Sequence, residues 1–232
     1  MAAASKNRAA TGRARGRPAR LSRESILEAG LELLERAPDE PLTLSRVAEE
    51  VDAVPAALYR HVGSHDALLD GVLGLVLDGI RFEIRRRAAW RSQVRDWMTC
   101  VRRQLLRYPA VVSMIGRTGR TSPAWFDATA VLVEILENAG LKGQRLAHAH
   151  LWITEVTMGC VVNEAVLPYP AQVEAAANAA AEMSEDTRKR HAPLAPHVAA
   201  LDSDAFFAMI ADHTTAAIPE PGNAARARKP RG

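Results

Sequence analysis

The sequence predicts an all-α fold, with three short helices near the N-terminus followed by a larger helical domain. Three observations predict it. Apolar residues recur at spacings of three and four along most of the chain, the period of a helix with one buried face. Aromatics make up only 5% of the residues while Ala and Leu abound, a mix that favours helix over sheet. No stretch reads as the apolar–polar alternation of a half-buried strand, and no repeat of fixed period is found. With 232 residues, 48% of them apolar, the chain has material for one large domain or two small ones.

The elements follow in order. Residues 1–20 are mostly Ala, Gly and Arg without a hydrophobic period and are expected to form a disordered arm. Ser22 caps a first helix whose Ile26, Leu27, Gly30, Leu33 and Leu34 share a face, and Pro38 ends it. Thr43 caps a second helix, with Leu44, Val47, Ala48 and Val51 on one side. After a break at Asp52-Ala53, Pro55 opens a third helix through Leu58 to about Val62. Proline suits that first position because its missing N–H would have no helical partner. Beyond Gly63-Ser64 a long helix is expected from His65 to about Arg87, with Leu68, Leu69, Val72, Leu75, Val76, Leu77 and Ile80 as its apolar positions. Arg85-Arg86-Arg87 would then sit at its C-terminus, where cations offset the helix dipole. Pro109, Gly119, Pro123 and Gly140 separate helices near 92–107, 110–117, 123–139 and 143–167. An Ala-rich helix covers about 171–183, an irregular segment holds Pro193 and Pro196, and a last helix runs near 203–217 before Pro219. The organisation is therefore an arm at 1–20, a three-helix unit at 21–67, a larger helical domain at 68–218 and a basic tail at 219–232.

Charge is distributed unevenly. The net charge is +3, yet Lys6, Arg8, Arg13, Arg15, Arg17 and Arg20 crowd the first twenty residues without one acid. Arg226, Arg228, Lys229 and Arg231 crowd the other end, so basic arms flank a mildly acidic body. That pattern suits an anionic polymer as partner, or two solubilising tails. Cys100 and Cys160 are too few for a disulfide framework and lack metal-ligand spacing, which suits a reducing cytoplasm. No apolar run is long enough to cross a bilayer, and no apolar stretch follows the N-terminal charges as a secretory signal requires. His148 and His150 lie two apart on different helix faces and make a poor metal pair. The sequence has no Gly-X-Ser-X-Gly elbow, P-loop, dinucleotide fingerprint or His-Glu-X-X-His, so neither an enzyme nor a cofactor is expected.

Three short helices, the second and third only a few residues apart, have the spacing of a helix-turn-helix, and equally that of an ordinary bundle segment. The residues favour the first. Leu42-Thr43-Leu44-Ser45-Arg46-Val47-Ala48-Glu49-Glu50-Val51, then Ala57-Leu58-Tyr59-Arg60-His61-Val62, then Ser64-His65-Asp66-Ala67-Leu68-Leu69-Asp70, resemble the DNA-binding domain of the TetR family, and most of all its tetracycline-repressor branch. The resemblance is specific over about 21–70 and rests on helix order and length over 90–217. It implies double-stranded DNA as partner. Thr43 would present its hydroxyl and helix N-terminus to a phosphate. Ser45 and Arg46 would reach bases or backbone, as would Ala56, Ala57 and Arg60 on the third helix. Tyr59 and His61 match phosphate contacts, as does His65 at the start of the fourth helix. Leu58 and Val62 face the other way, into the core.

Several positions depart from the family pattern. Asp52 replaces a turn glycine, Val54 replaces a capping Ser or Thr, His65 replaces a lysine and Ala57 a threonine. Each change weakens the usual grip on the backbone. Arg15-Gly16-Arg17-Pro18 resembles the core of an AT-hook, in which arginines enter a narrow A·T-rich minor groove.

For the larger domain the resemblance implies a twofold dimer and a pocket for a small-molecule effector. The helix pair near 143–167 and 203–217 would pack against its mate through Leu146, Ile153, Val156 and Cys160 with Phe206, Phe207 and Ile210, unless these are internal core. Trp97, Val101, Met114, Phe126, Trp152, Glu155 and Met158 are the candidate pocket residues, combining apolar bulk with one acid. The expected function is a ligand-responsive transcriptional regulator, a homodimeric repressor released from a palindromic operator. The alternatives are an architectural protein holding A·T-rich DNA through its arm, and a helical interaction protein whose helix-turn-helix has decayed.

Overall fold

A computed structural model describes residues 21–112 and 123–220. The expectations for the arm with Arg15 and Arg17, for Met114 and for the tail beyond 220 lie outside those residues. All regular structure among the described residues is helical: α1 Arg23–Arg36, α2 Leu44–Glu50, α3 Pro55–Val62, α4 His65–Asp78, α5 Trp90–Leu105, α6 Pro123–Asn138, α7 Gly143–Val166, α8 Tyr169–Ala179, α9 Glu185–His191, α10 Ala195–Ala199 and α11 Ser203–Ala216. A short helical stretch also covers 109–112.

The caps are those the sequence offers. Ser22 and Ser25 form a reciprocal capping box on α1, Thr43 accepts from the Arg46 amide and Ser64 from that of Ala67. Gly63 ends α3 at φ 81°, a left-handed conformation that glycine adopts without strain.

α4 is the shared wall of the molecule. It packs against α1 on the N-terminal side and against α5 and α6 on the other. The α1–α4 approach depends on glycine at two places: a Cβ on Gly30 would sit 2.9 Å from Val72, and one on Gly71 2.6 Å from Leu27. One apolar cluster runs without interruption from Ile26 and Leu58 through Val72 and Trp97 to Ile153 and Phe207. The three-helix unit and the larger domain thus share a core.

Two expectations are corrected. The helix from His65 stops at Asp78, and 80–85 runs extended along α5 instead. Ile80, Phe82 and Ile84 turn inward while Arg81, Glu83 and Arg85 face solvent, an alternation of period two that the sequence does carry. The Glu83 amide donates to Cys100 Sγ, and the Arg85 amide and guanidinium both bond Asp96. Burial pushes the Asp96 carboxyl up, but the bonds from Arg85 outweigh it and hold the group below its ordinary value. Arg85, Arg86 and Arg87 therefore offset no helix dipole; Arg86 pairs with Glu134 at 3.1 Å. The second correction concerns the irregular segment with Pro193 and Pro196, which forms the short helices α9 and α10.

An ion-pair cluster ties the far side together. Arg102 on α5 forks onto Glu164 of α7 at 2.6 and 2.7 Å, reaches Asp204 of α11 and stacks over Phe207. The bonds to Glu164 outweigh burial and hold the Arg102 guanidinium well above its already high value.

Candidate DNA-binding and ligand-binding sites

α3 has a sharply divided surface. Leu58 and Val62 are buried, at 0% and 6% exposure, and fix the helix against α1, α2 and α4. Ala56, Tyr59, Arg60 and His61 point out, and Tyr59 keeps half its surface in water. An outward aromatic and two basic groups on one short helix are free to meet an anionic polymer. The turn that aims this helix holds Asp52 at φ 52°, the one non-glycine residue in left-handed conformation among those described. Aspartate tolerates that region better than most residues, so the loss of glycine there bends nothing. Val54 sits at the N-cap of α3 with no side-chain bond to the helix, leaving the cap unmade.

The other candidates of this face are placed differently. Ser45 is exposed at the start of α2, while Thr43 and Ala57 are half-buried. The Thr43 oxygen accepts the Arg46 amide and still has its hydroxyl proton to give. Arg46 is engaged inside the protein, pairing with Glu40 at 2.7 Å and donating to the Pro41 carbonyl at 2.6 Å. His65 Nε2 donates to the Leu42 carbonyl at 2.7 Å, because a carbonyl can only accept. That nitrogen pins the chain entering α2 onto α4, and only Nδ1 is left to meet an anion.

The candidate pocket residues among those described differ in burial. Trp97 and Val101 are wholly buried, with Trp97 Nε1 donating to the Ala128 carbonyl at 3.0 Å and its ring edge-on to Trp125. Phe126 is 63% exposed. Trp152 lines an open cleft of about 440 Å³ with Leu141, Arg145 and Ile218, between the start of α7 and the chain beyond α11. Glu155 is exposed and Met158 half-buried on α7.

The residues expected to face a twofold mate differ in burial. Ile153 and Phe207 are core residues, and Leu146, Val156, Cys160, Phe206 and Ile210 are half-buried. The apolar side chains left in water are Leu151, Trp152 and Val166 on α7 and Met209 on α11. On α7 the apolar letters alone do not separate the side chains turned inward from those left exposed. A contact that the sequence did not suggest joins the two halves: Tyr108 Oη donates to Glu35 Oε1 of α1 at 3.0 Å. Burial, then the carboxylate beside it, raises the Tyr108 phenol above its ordinary value and keeps it a donor.

A helix-turn-helix with a basic outward third helix, joined through a common helix to a larger helical body, defines a DNA-binding regulator. Comparison with known proteins makes the class specific. The family model for the tetracyclin repressor-like C-terminal domain matches residues 85–211. An HTH-type transcriptional regulator of Saccharopolyspora erythraea is 27% identical over 172 residues, 74% of this chain and 71% of that protein. The class C tetracycline repressor protein of Escherichia coli is 30% identical, over 62% of this chain and 67% of its own. Among solved structures, apo ActR from Streptomyces coelicolor superposes with a TM-score of 0.72 at 20% identity, covering 89% of this chain and 99% of that one. The chain belongs to the TetR family of transcriptional regulators. Among the described residues no helix is long and apolar enough to cross a membrane.

Proposed function

We propose that the protein is a homodimeric repressor that binds a palindromic operator through α3 and leaves it when a small molecule enters the helical body. The observation that carries this is the division of α3: its inner face is locked into the core while Ala56, Tyr59 and Arg60 are presented outward. A helix so presented fits the major groove, where an arginine can bond guanine through two parallel hydrogen bonds. Ser45, Thr43, Tyr59 and His61 would contact the backbone; Arg46 and His65 would join them only by giving up or sharing their internal bonds. Arg15 and Arg17 would add minor-groove contacts from the arm.

The exposed row of Leu151, Trp152, Val166 and Met209 supports pairing of α7 and α11 with their twofold copies, which sets two recognition helices at a fixed spacing. The division into a DNA-binding unit at 21–67 and a ligand-binding and dimerisation domain at 68–218 follows, with α4 as the element both sides press on. ActR has been seen with actinorhodin bound, and BioQ with its double-stranded operator. Those structures support a ligand-responsive DNA binder here; a place in the cytoplasm and no catalytic role go with that reading. Of the candidate pocket residues, Met158 and the Trp97–Val101 wall suit an effector that parts the core, while Phe126, Trp152 and Glu155 would serve at an entrance.

Selection of bound duplexes from random DNA tests this on the full chain and on a version beginning at Leu21. The same twofold-symmetric site from both is expected. Asymmetric A·T-rich DNA from the full chain, with nothing from the shortened one, would make the arm the binder and the protein architectural.

A further inference from the structure

A cleft of about 490 Å³ opens on the side of the molecule where α1, the end of α4, the extended segment after it and α5 meet. None of its lining residues belongs to α3, α7 or α11. Three guanidinium groups line it, from Arg81, Arg103 and Arg107. Its two carboxylates are already engaged: Glu35 accepts the Tyr108 hydroxyl and Glu83 pairs with Arg103 at 3.2 Å. Arg107 lies over the Tyr108 ring and reaches the Gln104 amide oxygen at 3.4 Å, with no carboxylate ion pair among the described residues. Arg81 has no ion pair among the described residues. Three guanidinium groups thus face two carboxylates, and the recess keeps a net positive edge at Arg81 and Arg107 over apolar lining from Leu31, Leu75 and the buried Cys100.

We propose that this cleft is a second effector site, for a small carboxylate with an apolar body. The carboxylate would lie between Arg81 and Arg107, where a planar guanidinium can bond both of its oxygens, and the body would rest on Leu31 and Leu75. Cleft size and mixed lining suit a ligand of one ring. Such a ligand touches α1 and the turn that follows α5 at once, beside the Tyr108–Glu35 bond that joins them, so its affinity depends on how the DNA-binding unit sits on the body. Occupancy therefore biases operator binding, as coupling between sites requires. The regulatory half rests on the repressor function proposed above; the binding half does not.

Titration calorimetry of the full chain with benzoate tests it, with benzamide and inorganic phosphate as comparison probes. Saturable binding of one benzoate per chain is expected, with benzamide and phosphate at least about tenfold weaker. The Arg81→Gln/Arg107→Gln variant, both positions being exposed, should keep its helical circular dichroism and bind benzoate at least about tenfold more weakly. Arg87→Gln, outside the cleft, should bind as the parent does. No saturable heat from benzoate, or equal binding by the double variant, overturns the site. Phosphate binding as well as benzoate overturns the carboxylate with an apolar body as the ligand class. Benzoate binding that leaves operator affinity unchanged overturns the effector role alone, and a parent that selects no symmetric operator refutes the repressor reading without touching the calorimetry.

Discussion

In α2 and α3 the residues that hold the fold and those available for function are different residues. Leu44, Val47, Leu58 and Val62 are buried, and Ser45, Tyr59, Arg60 and His61 are not. In the body, from α5 to α7, the two roles compete for the same side chains. Trp97, Val101 and Met158 are candidates to meet an effector and also stand in or against the core. A surface site can keep its chemistry without disturbing packing, and its polar letters stand out in the sequence. A pocket inside a helical body is made by core residues, and apolar letters there look like any other core.

The comparison can be broken by asking whether the halves melt apart. Trp97→Ala removes the largest fully buried side chain of the body and should cost roughly 3–5 kcal/mol. Leu58→Ala, in the DNA-binding unit, should cost roughly 2–5 kcal/mol. Because one apolar cluster spans both, each should shift a single thermal transition followed by circular dichroism and by tryptophan fluorescence. Two separated transitions in Leu58→Ala would show that the DNA-binding unit unfolds on its own. A smaller effect is expected from Glu164→Gln. It leaves Arg102, whose side chain is only 12% exposed, with Asp204 as its one carboxylate partner, and should cost about 1–3 kcal/mol in urea unfolding. The smallest change should be a gain. Val54 is 64% exposed and caps nothing, so Val54→Ser should stabilise by about 0.5–1 kcal/mol, read as a higher urea midpoint at unchanged slope.

The same contrast explains what was legible in advance. Ser22, Thr43, Pro55, Gly63 and Gly140 announced helix ends because capping and turn chemistry is local. The TetR resemblance read from specific letters over 21–70 agrees with the family model that matches residues 85–211. Leu77 and Ile80 keep a helical spacing past Asp78, while the alternation of Ile80, Phe82 and Ile84 fits extended chain as well. Only Asp96 and Cys100, more than ten residues on, decide between them by bonding the Arg85 and Glu83 amides. Short helices α9 and α10 were hidden by Pro193 and Pro196, although Pro196 sits in the first turn of α10, where proline is tolerated. Leu151 and Trp152 of α7 are exposed beside the buried Ile153, a difference that apolar letters alone do not carry. Nothing local in the sequence points Tyr108 at Glu35, which lies 73 residues away.

The central claim is that the outward face of α3 reads DNA. Operator affinity of Tyr59→Ala/Arg60→Ala, measured at fixed salt on the site selected by the parent chain, tests it most directly. Both side chains are exposed, so the helical content and melting of the variant should match the parent. The account predicts a loss of at least roughly 1–3 kcal/mol, with relaxed preference at the base pairs under Arg60. Unchanged affinity and unchanged preference would contradict it and remove α3 from the interface.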